Sequence, residues 1–245
     1  TDTTKVLLEK TTFYFAKTNR KDWLALTTFL KATNYTSLNN NAKALECFDK
    51  VEMINKTVKS EFIAENIFCT RGYLYSSMAE HPKAMDDFIK GMKIAERIED
   101  ENMQAMLLNN IGTTVGEMGD LKKSMDYFNK LILLAKKIND KTSLCMAYQN
   151  IGWAYYYDGK YKDALVQVEV ALRIALELKH QDHIAECYGL LGDVNEKLGM
   201  YKEAFSNLQL AFASNKQQGN FYNLCDNLLA LSRTVLNSGR IKLTD

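Results

Sequence analysis

Four glycines recur at a fixed interval of forty residues, and this period constrains the fold more than any other feature of the chain. They are Gly72, Gly112, Gly152 and Gly192. A small residue follows each of them after twelve positions, namely Ala84, Ser124, Ala164 and Ala204. Self-similarity with a period of about 20–50 residues is the signature of repeat architectures, in which each unit packs only against its neighbours. The sequence therefore predicts a tandem array and not a globule with one central core.

The best-preserved copy of the repeat predicts two helices joined by a tight turn. It runs from Tyr148 to Leu165 and reads YQNIGWAYYYDGKYKDAL. Gly152 and Ala164 are small enough to let two helix backbones approach closely, and Gly159 is placed to end the first helix. The partner helices carry apolar residues at helical spacing, as expected for a helix with one buried face. The fold class that we predict is all-α, built from helix–turn–helix hairpins.

The period also predicts the limits of the repeats within one array. A leading helix occupies residues 1–20, whole repeats occupy 23–60, 61–100, 101–140, 141–180 and 181–220, and a partial sixth repeat occupies 221–245. Ile241 should open the last partner helix, but the sequence stops four residues later. Because an apolar helix face without its partner is a poor end for an array, we expect these residues to be a fragment of a longer protein.

Charge and cysteine content narrow the classes of partner. The 31 basic and 30 acidic residues give a net charge of +1, which offers no reason to predict binding to nucleic acid or to a membrane surface. The five cysteines form no CxxC pair and are interpreted as reduced, apolar helix residues, which favours a cytoplasmic protein. No apolar run approaches the length of a membrane helix, and no signal peptide is visible. Since the chain begins at Thr1, a removed leader stays open.

The repeated positions resemble the tetratricopeptide repeat. In the fourth repeat the resemblance rests on Tyr148, Ile151, Gly152, Tyr155, Gly159, Tyr161, Ala164 and Ala171. In the fifth it rests on Tyr188, Leu191, Gly192, Gly199, Tyr201, Ala204 and Ala211. The resemblance covers roughly residues 23–239. The departures are Ala32 and Ser232 in place of the helix glycine, Ala79 in place of the turn glycine, and a period longer than the usual thirty-four residues.

The resemblance implies a right-handed superhelix, an α-solenoid, whose first helices line a concave groove. Forty-residue repeats look similar to those of scaffold proteins that orient cell division and of bacterial regulators that sense peptides. By repeat phase, the candidate ligand-binding residues of this groove are Tyr73, Met106, Asn109, Asn110, Thr113, Gln149, Asn150, Trp153, Tyr156, Tyr157 and Asp193.

Each part of this lining has two interpretations. Asn110 and Asn150 occupy identical phase, and their amides could pair with the backbone of an extended peptide or could bridge neighbouring repeats. Trp153, Tyr156 and Tyr157 could be a binding surface or part of the core. The carboxylates Glu186, Asp193 and Glu196 would favour a basic or N-terminal-amine ligand, although a solvated helix face explains them equally well.

Catalytic signals are weak. His180, Asp182 and His183 form the only cluster that could ligate a metal; we place it in a turn between repeats, where no third ligand is evident. No phosphate-binding loop or nucleophile elbow is present. We therefore expect no enzyme activity, no cofactor and no metal.

The sequence favours a non-catalytic scaffold that binds a protein or peptide partner in its groove. We expect it to be a module of a larger, bacterial signalling or regulatory protein. The alternative is a ligand-sensing domain that changes the shape of its superhelix on binding a small peptide or metabolite and so controls an attached output domain. Oligomerisation is left open.

Overall fold

The computed structural model describes residues 2–239, and within that range it contains twelve α-helices and no β-strand. Their bounds are α1 Asp2–Ala16, α2 Lys21–Ser37, α3 Asn41–Val58, α4 Glu61–Ser77, α5 His81–Arg97, α6 Glu101–Glu117, α7 Leu121–Lys137, α8 Lys141–Tyr157, α9 Tyr161–Leu178, α10 Gln181–Lys197, α11 Tyr201–Gln218 and α12 Phe221–Ser238. The all-helical prediction is confirmed. Helices α4, α6, α8, α10 and α12 each begin forty residues after the one before, so the sequence period is also the structural period.

The chain forms two compact units, Thr1–Thr114 and Val115–Asp245. In the first unit, α2 and α3 form one hairpin, α4 and α5 form the next, and α1 packs against α2. Its core is built from alanines and larger apolar residues of these helices, including Ala25, Ala32, Phe48, Ile67 and Leu74. The leading helix is thus present as predicted, and it ends at Ala16.

In the second unit, α8 pairs with α9 and α10 pairs with α11, while α12 packs against both α11 and α10. The first helices of successive hairpins also contact each other, α8 with α10 and α10 with α12. Among the described residues of this unit, no such contact joins the second helices α9 and α11. The hairpins therefore stack so that α8, α10 and α12 lie on the inner side of the unit.

The glycines of the repeat permit close approach between the two helices of a hairpin. A Cβ atom placed on Gly152 would lie 2.5 Å from Val168 Cγ2, and one on Gly192 would lie 2.4 Å from Leu208 Cγ. The same atom on Gly72 would lie 2.7 Å from the ring of Phe88. Contacts below 3.0 Å require something to move, so a larger residue at these positions would force the facing side chain or the helix that carries it to shift.

The turn between the helices of a hairpin uses a left-handed residue. Gly159 has a φ of 74° and follows Asp158, the C-cap residue of α8, at the turn that the sequence predicts. In the second repeat the turn residue is Ala79, which adopts a φ of 58° despite its Cβ. The turn itself requires the left-handed conformation, because the second repeat adopts it with an alanine despite the steric cost.

α5 begins at His81, and Pro82 occupies its first turn, which confirms the predicted helix start. The predicted sixth first helix is also present as α12. The partner helix expected from Ile241 onwards lies outside the described residues. The assignment of the whole chain to a single, right-handed superhelical array stays a prediction. None of the helices within residues 2–239 combines the length and the apolar character that crossing a membrane requires.

Candidate ligand-binding groove

The second unit contains a groove of about 590 Å³ on the side formed by α8, α10 and α12. It is lined by Gln149, Asn150, Trp153, Ala185, Glu186, Gly189, Leu190, Asp193, Asn215, Asn223, Asp226, Asn227, Leu229, Ala230 and Arg233. Four of the sequence-predicted residues therefore line it together, namely Gln149, Asn150, Trp153 and Asp193. The residues forty positions further on in α10, and again in α12, line the groove as well. The same face of each of the three helices therefore borders it.

Two buried asparagines form part of the groove wall. Asn215 of α11 donates from Nδ2 to Oδ1 of Asn227 on α12, with a distance of 2.8 Å. Asn215 is 3% exposed and Asn227 is 8% exposed. They occupy the repeat positions of Ala175 and Cys187, which are core residues one repeat earlier. The sequence did not predict this pair, and the available signal was a polar residue at repeat positions that hold Ala175 and Cys187 one repeat earlier.

Glu186 carries a carboxylate at the edge of the groove. Its Oε2 accepts a hydrogen bond from Gln149 Nε2 of α8 at 2.9 Å, and His183 Nδ1 lies 3.4 Å from the same oxygen. Burial opposes ionisation of this carboxyl group, but the His183 imidazole and the Gln149 amide outweigh it and hold the Glu186 pKa below its ordinary value. The groove therefore presents an ionised carboxylate here. Gln149 itself is buried and links α8 to α10.

Arg233 of α12 neutralises part of the acidic surface that the sequence indicates. Its Nη2 lies 2.6 Å from Asp193 Oδ1, and its Nε donates to both carboxylate oxygens of Glu196 at 3.0 and 2.8 Å. Burial raises the pKa of Asp193, and the guanidinium works against that rise. Glu196 is buried and also accepts from Asn237 Nδ2, so its carboxylate is not a solvated one. Arg233, the partner of both carboxylates, lies in the partial sixth repeat, and the sequence did not predict these ion pairs.

The three predicted aromatics form one ring cluster. Trp153 stacks on Tyr157 with 5.7 Å between ring centroids, and Tyr156 meets both rings edge-on. Trp153 and Tyr156 are half-buried and pack against the core of the second unit, whereas Tyr157 is 69% exposed. Burial, followed by the nearby Asp193 carboxylate, raises the pKa of Tyr156. The core interpretation therefore applies to Trp153 and Tyr156, and of the three rings Trp153 also lines the groove, while a binding role for them stays a prediction.

The remaining predicted residues lie in the first unit. Tyr73, Met106 and Thr113 are exposed, and Thr113 donates to the carbonyl oxygen of Asn109 on its own helix. Asn110 Nδ2 donates to the Cys69 sulfur atom at 3.7 Å, across neighbouring repeats. This contact fits the interpretation of Asn110 as a link between repeats. A ligand-binding role for these residues stays a prediction.

The histidine cluster differs from its predicted surroundings. His180 occupies the N-cap position of α10 without a side-chain capping hydrogen bond, whereas His183 lies inside that helix and is half-buried beside Glu186. The two imidazole rings are 4.3 Å apart. Among residues 2–239 no group of three or more histidine, cysteine or acidic side chains is arranged to hold a metal ion. Cys47, Cys69, Cys145 and Cys187 are buried free thiols, and Cys225 is exposed.

Two family models of the tetratricopeptide repeat match the chain, at residues 103–177 and 185–218. Among curated protein sequences none matches the chain significantly.

Solved structures show the same fold at low sequence identity. Aspartyl phosphate phosphatase F from Bacillus subtilis superposes with a TM-score of 0.79 at 17% identity, over 93% of this chain and 60% of that protein. A Rap protein complexed with competence and sporulation factor gives 0.75 at 15% identity, over 87% and 62%. BtubC from P. vanneervenii gives 0.73 at 15% identity, over 88% and 91%. The chain thus spans about three fifths of the first two proteins.

Tandem hairpins with a groove along their first helices define a helical-repeat protein of the α-solenoid class. The matched models specify the family, and the chain is a tetratricopeptide repeat protein.

Proposed function

We propose that the groove of the second unit binds a short peptide segment of a protein partner and that the chain acts as a non-catalytic scaffold. The observation that carries the proposal is the convergence of α8, α10 and α12 on one polar groove of about 590 Å³. That volume lies within the roughly 300–1,000 Å³ of ordinary ligand sites. An extended segment of a few residues is the partner that such a groove fits.

The lining favours main-chain recognition. Gln149, Asn150, Asn223 and Asn227 carry amides, which offer donors and an acceptor on the same side chain. The backbone of an extended peptide offers the same alternation, so amides can pair with it whatever its side chains are. Trp153 adds a rigid apolar surface of the type enriched at binding hot spots. The groove is therefore suited to bind a chain segment and to add specificity through a few side chains.

The charge of the lining favours a basic segment or a free N-terminal amine. The three carboxylates Glu186, Asp193 and Asp226 face the groove with the single guanidinium of Arg233. Asp193 and Arg233 pair with each other, so the local charge is set by Asp226 and by Glu186, which has the His183 imidazole beside it. Complementary charge accelerates encounter and excludes acidic partners.

A positional-scanning library of fluorescein-labelled heptapeptides tests the proposal by fluorescence polarisation. We expect enrichment of lysine or arginine and weaker binding as salt is raised. Asp226→Asn should weaken the selected peptide roughly threefold, the effect of one exposed charge. Asp126→Asn on α7 makes the same chemical change at an exposed position outside the groove and should have no effect. A library that shows no binding, or equal losses in the two variants, would contradict the proposal.

One observation favours the second candidate, a sensor that changes shape on binding. Arg233 holds α12 to α10 through Asp193 and Glu196, and both Arg233 and Asp193 line the groove. A cationic ligand that competes for Asp193 would alter this attachment. Small-angle scattering with the selected peptide distinguishes the candidates, because a fixed radius of gyration indicates the scaffold and a changed radius indicates the sensor.

We also propose that the chain is part of a larger bacterial regulatory protein. This proposal is supported by the similarity to a Rap protein solved with competence and sporulation factor, of which this chain spans 62%.

A further inference from the structure

The Asn215–Asn227 pair places polar side chains at two buried positions where packing does not require them. The repeat positions of these two residues hold Ala175 and Cys187 in the preceding repeat, where both are fully buried core residues. Small apolar residues therefore satisfy the architecture at these places. A buried amide pair instead incurs the desolvation cost of polar groups, which is offset only when their hydrogen bonds are made.

The pair fixes the direction of one donor. Asn227 Oδ1 accepts from Asn215 Nδ2 at 2.8 Å, and since the oxygen and nitrogen of an amide lie on opposite branches, this bond also fixes Asn227 Nδ2. Asn227 Nδ2 donates to no residue among those that the structure describes, and Asn227 lines the groove. An oriented amide N–H group is thus available at the groove wall.

Gly189 leaves space beside this donor. A Cβ atom built on Gly189 would have Asn227 Nδ2, at 3.7 Å, as its only neighbour within 4 Å outside its own helix. The equivalent residues on α8 and α12 are Gln149 and Leu229, so the notch is specific to α10. Glycine inside a helix reduces helix stability, and no close contact at this position demands it.

We propose that this notch is a subsite in which Asn227 Nδ2 donates to a main-chain carbonyl oxygen of an extended peptide, with Asn215 as its positioning residue. The inference rests on the peptide-binding function proposed above. A neutral amide donor suits a neutral carbonyl acceptor. Glu186 and Asp226 line the same groove and would repel a carboxylate or phosphate, which leaves the carbonyl as the acceptor that fits.

Gly189→Ala tests the subsite, because its methyl group covers the donor without a clash. We select the tightest binder of wild type from the fluorescein-labelled heptapeptide library and measure its affinity for the whole chain by fluorescence polarisation. The variant should bind about tenfold more weakly, as expected when one buried hydrogen bond is lost. Gly91→Ala on α5 is the matched control, since its added methyl meets Leu107 and Phe68 at an ordinary 3.4 Å and lies in the other unit. Circular dichroism should show unchanged helix content in both.

A thioamide scan of the same peptide locates the carbonyl. Sulfur is a poorer hydrogen-bond acceptor than oxygen, so thioamide replacement at one position of the peptide should weaken its binding to wild type. In Gly189→Ala, the same replacement should cause no further loss of affinity. Asn227→Asp provides a second variant, which keeps the oxygen that accepts from Asn215 and replaces the donor with an acceptor. It should abolish the same position-specific effect.

The outcomes separate the two proposals. If Gly189→Ala binds the peptide as wild type does, the subsite is wrong while peptide binding by the groove stands. The subsite is likewise wrong if the thioamide effect persists in Gly189→Ala. If wild type binds no peptide of the library, both the proposed function and the subsite fail.

Discussion

Arg71 of α4 donates to both carboxylate oxygens of Asp87 on α5, from Nε at 2.7 Å and from Nη2 at 2.9 Å. The two side chains are 9% and 4% exposed. Arg71 Nη1 also reaches Glu52 and Asp49 on α3, at 2.8 and 3.3 Å. One buried guanidinium therefore joins three consecutive helices, which belong to two hairpins of the first unit. The neighbouring acidic groups raise the pKa of Arg71 against the opposing effect of its burial.

Asp87→Ala should destabilise the first unit by about 3–5 kcal/mol, because it leaves a buried guanidinium without its bidentate acceptor. Chemical denaturation followed by circular dichroism measures the loss. Asp86→Ala removes the adjacent, exposed carboxylate that pairs with Lys90 and should cost about 0.5 kcal/mol or less. Equal losses in the two variants would show that the Arg71–Asp87 pair does not hold the hairpins together.

Glu65 makes the stability of the chain depend on pH. Its side chain is fully buried, neither carboxyl oxygen has a hydrogen-bond partner in the described chain, and burial, with Asp100 and Glu61 nearby, raises its pKa from 4.5 to about 7. Between these two values the folded state keeps a proton that the unfolded state releases. The free energy of unfolding should therefore fall as pH rises from about 4.5 to 7 and stay level above that range.

Glu65→Gln should remove this slope and raise the free energy of unfolding at pH 8 by about 3 kcal/mol, with little change at pH 4. Urea titrations across that range measure it. Glu169→Gln replaces an exposed carboxylate on α9 and should follow the wild-type profile. A Glu65→Gln profile parallel to wild type at every pH would refute the assignment.

Gly192→Ala and Gly189→Ala should change stability in opposite directions, although both lie on α10. The added Cβ of the first would meet Leu208 atoms at 2.4 and 2.6 Å, whereas that of the second has its nearest neighbour at 3.7 Å. We expect Gly192→Ala to cost about 1–3 kcal/mol through overpacking, and Gly189→Ala to gain up to about 1 kcal/mol of helix propensity. Thermal unfolding of the pair checks both signs, and a stabilised Gly192→Ala would disprove the close approach of α10 and α11.

Arg233→Ala should loosen the attachment of α12 to α10. The change leaves the buried carboxylate of Glu196 with Thr234 and Asn237 but without its guanidinium. We expect a loss of about 1–3 kcal/mol and faster amide hydrogen exchange in α12, measured by mass spectrometry. Arg173→Ala, at an exposed position of α9, serves as the control. Unchanged exchange in α12 would indicate that the ion pairs contribute little.

The repeat architecture was predictable because it depends on short-range spacing. The glycines at forty-residue intervals and the small residues that follow them act within one hairpin, so their meaning is visible without a partner far away in the chain. The turn at Gly159 was predictable for the same reason, and Ala79 shows that the turn conformation persists where the sequence signal is missing.

The groove was predictable only in part. Gln149, Asn150, Trp153 and Asp193 follow from the repeat phase, which states the direction that a helix residue faces. Arg233 shares the repeat phase of Asp193, but its ion pairs and the Asn215–Asn227 hydrogen bond do not follow from phase, because they depend on the residue that each side chain meets on another helix. Repeat phase also assigned Glu196 to the open surface, whereas Arg233 draws its carboxylate into a buried ion pair.

The sequence by itself determined the all-α hairpins, their period, their turns and the family, since each depends on local periodicity and on small residues at fixed spacing. Only the tertiary structure decided which polar side chains pair, which carboxylates stay free and where the groove has a notch. Those properties depend on distances of 2.6–3.7 Å between atoms on different helices. A one-dimensional pattern carries no such distance, because it fixes the face on which a residue lies and not the side chain that it meets there.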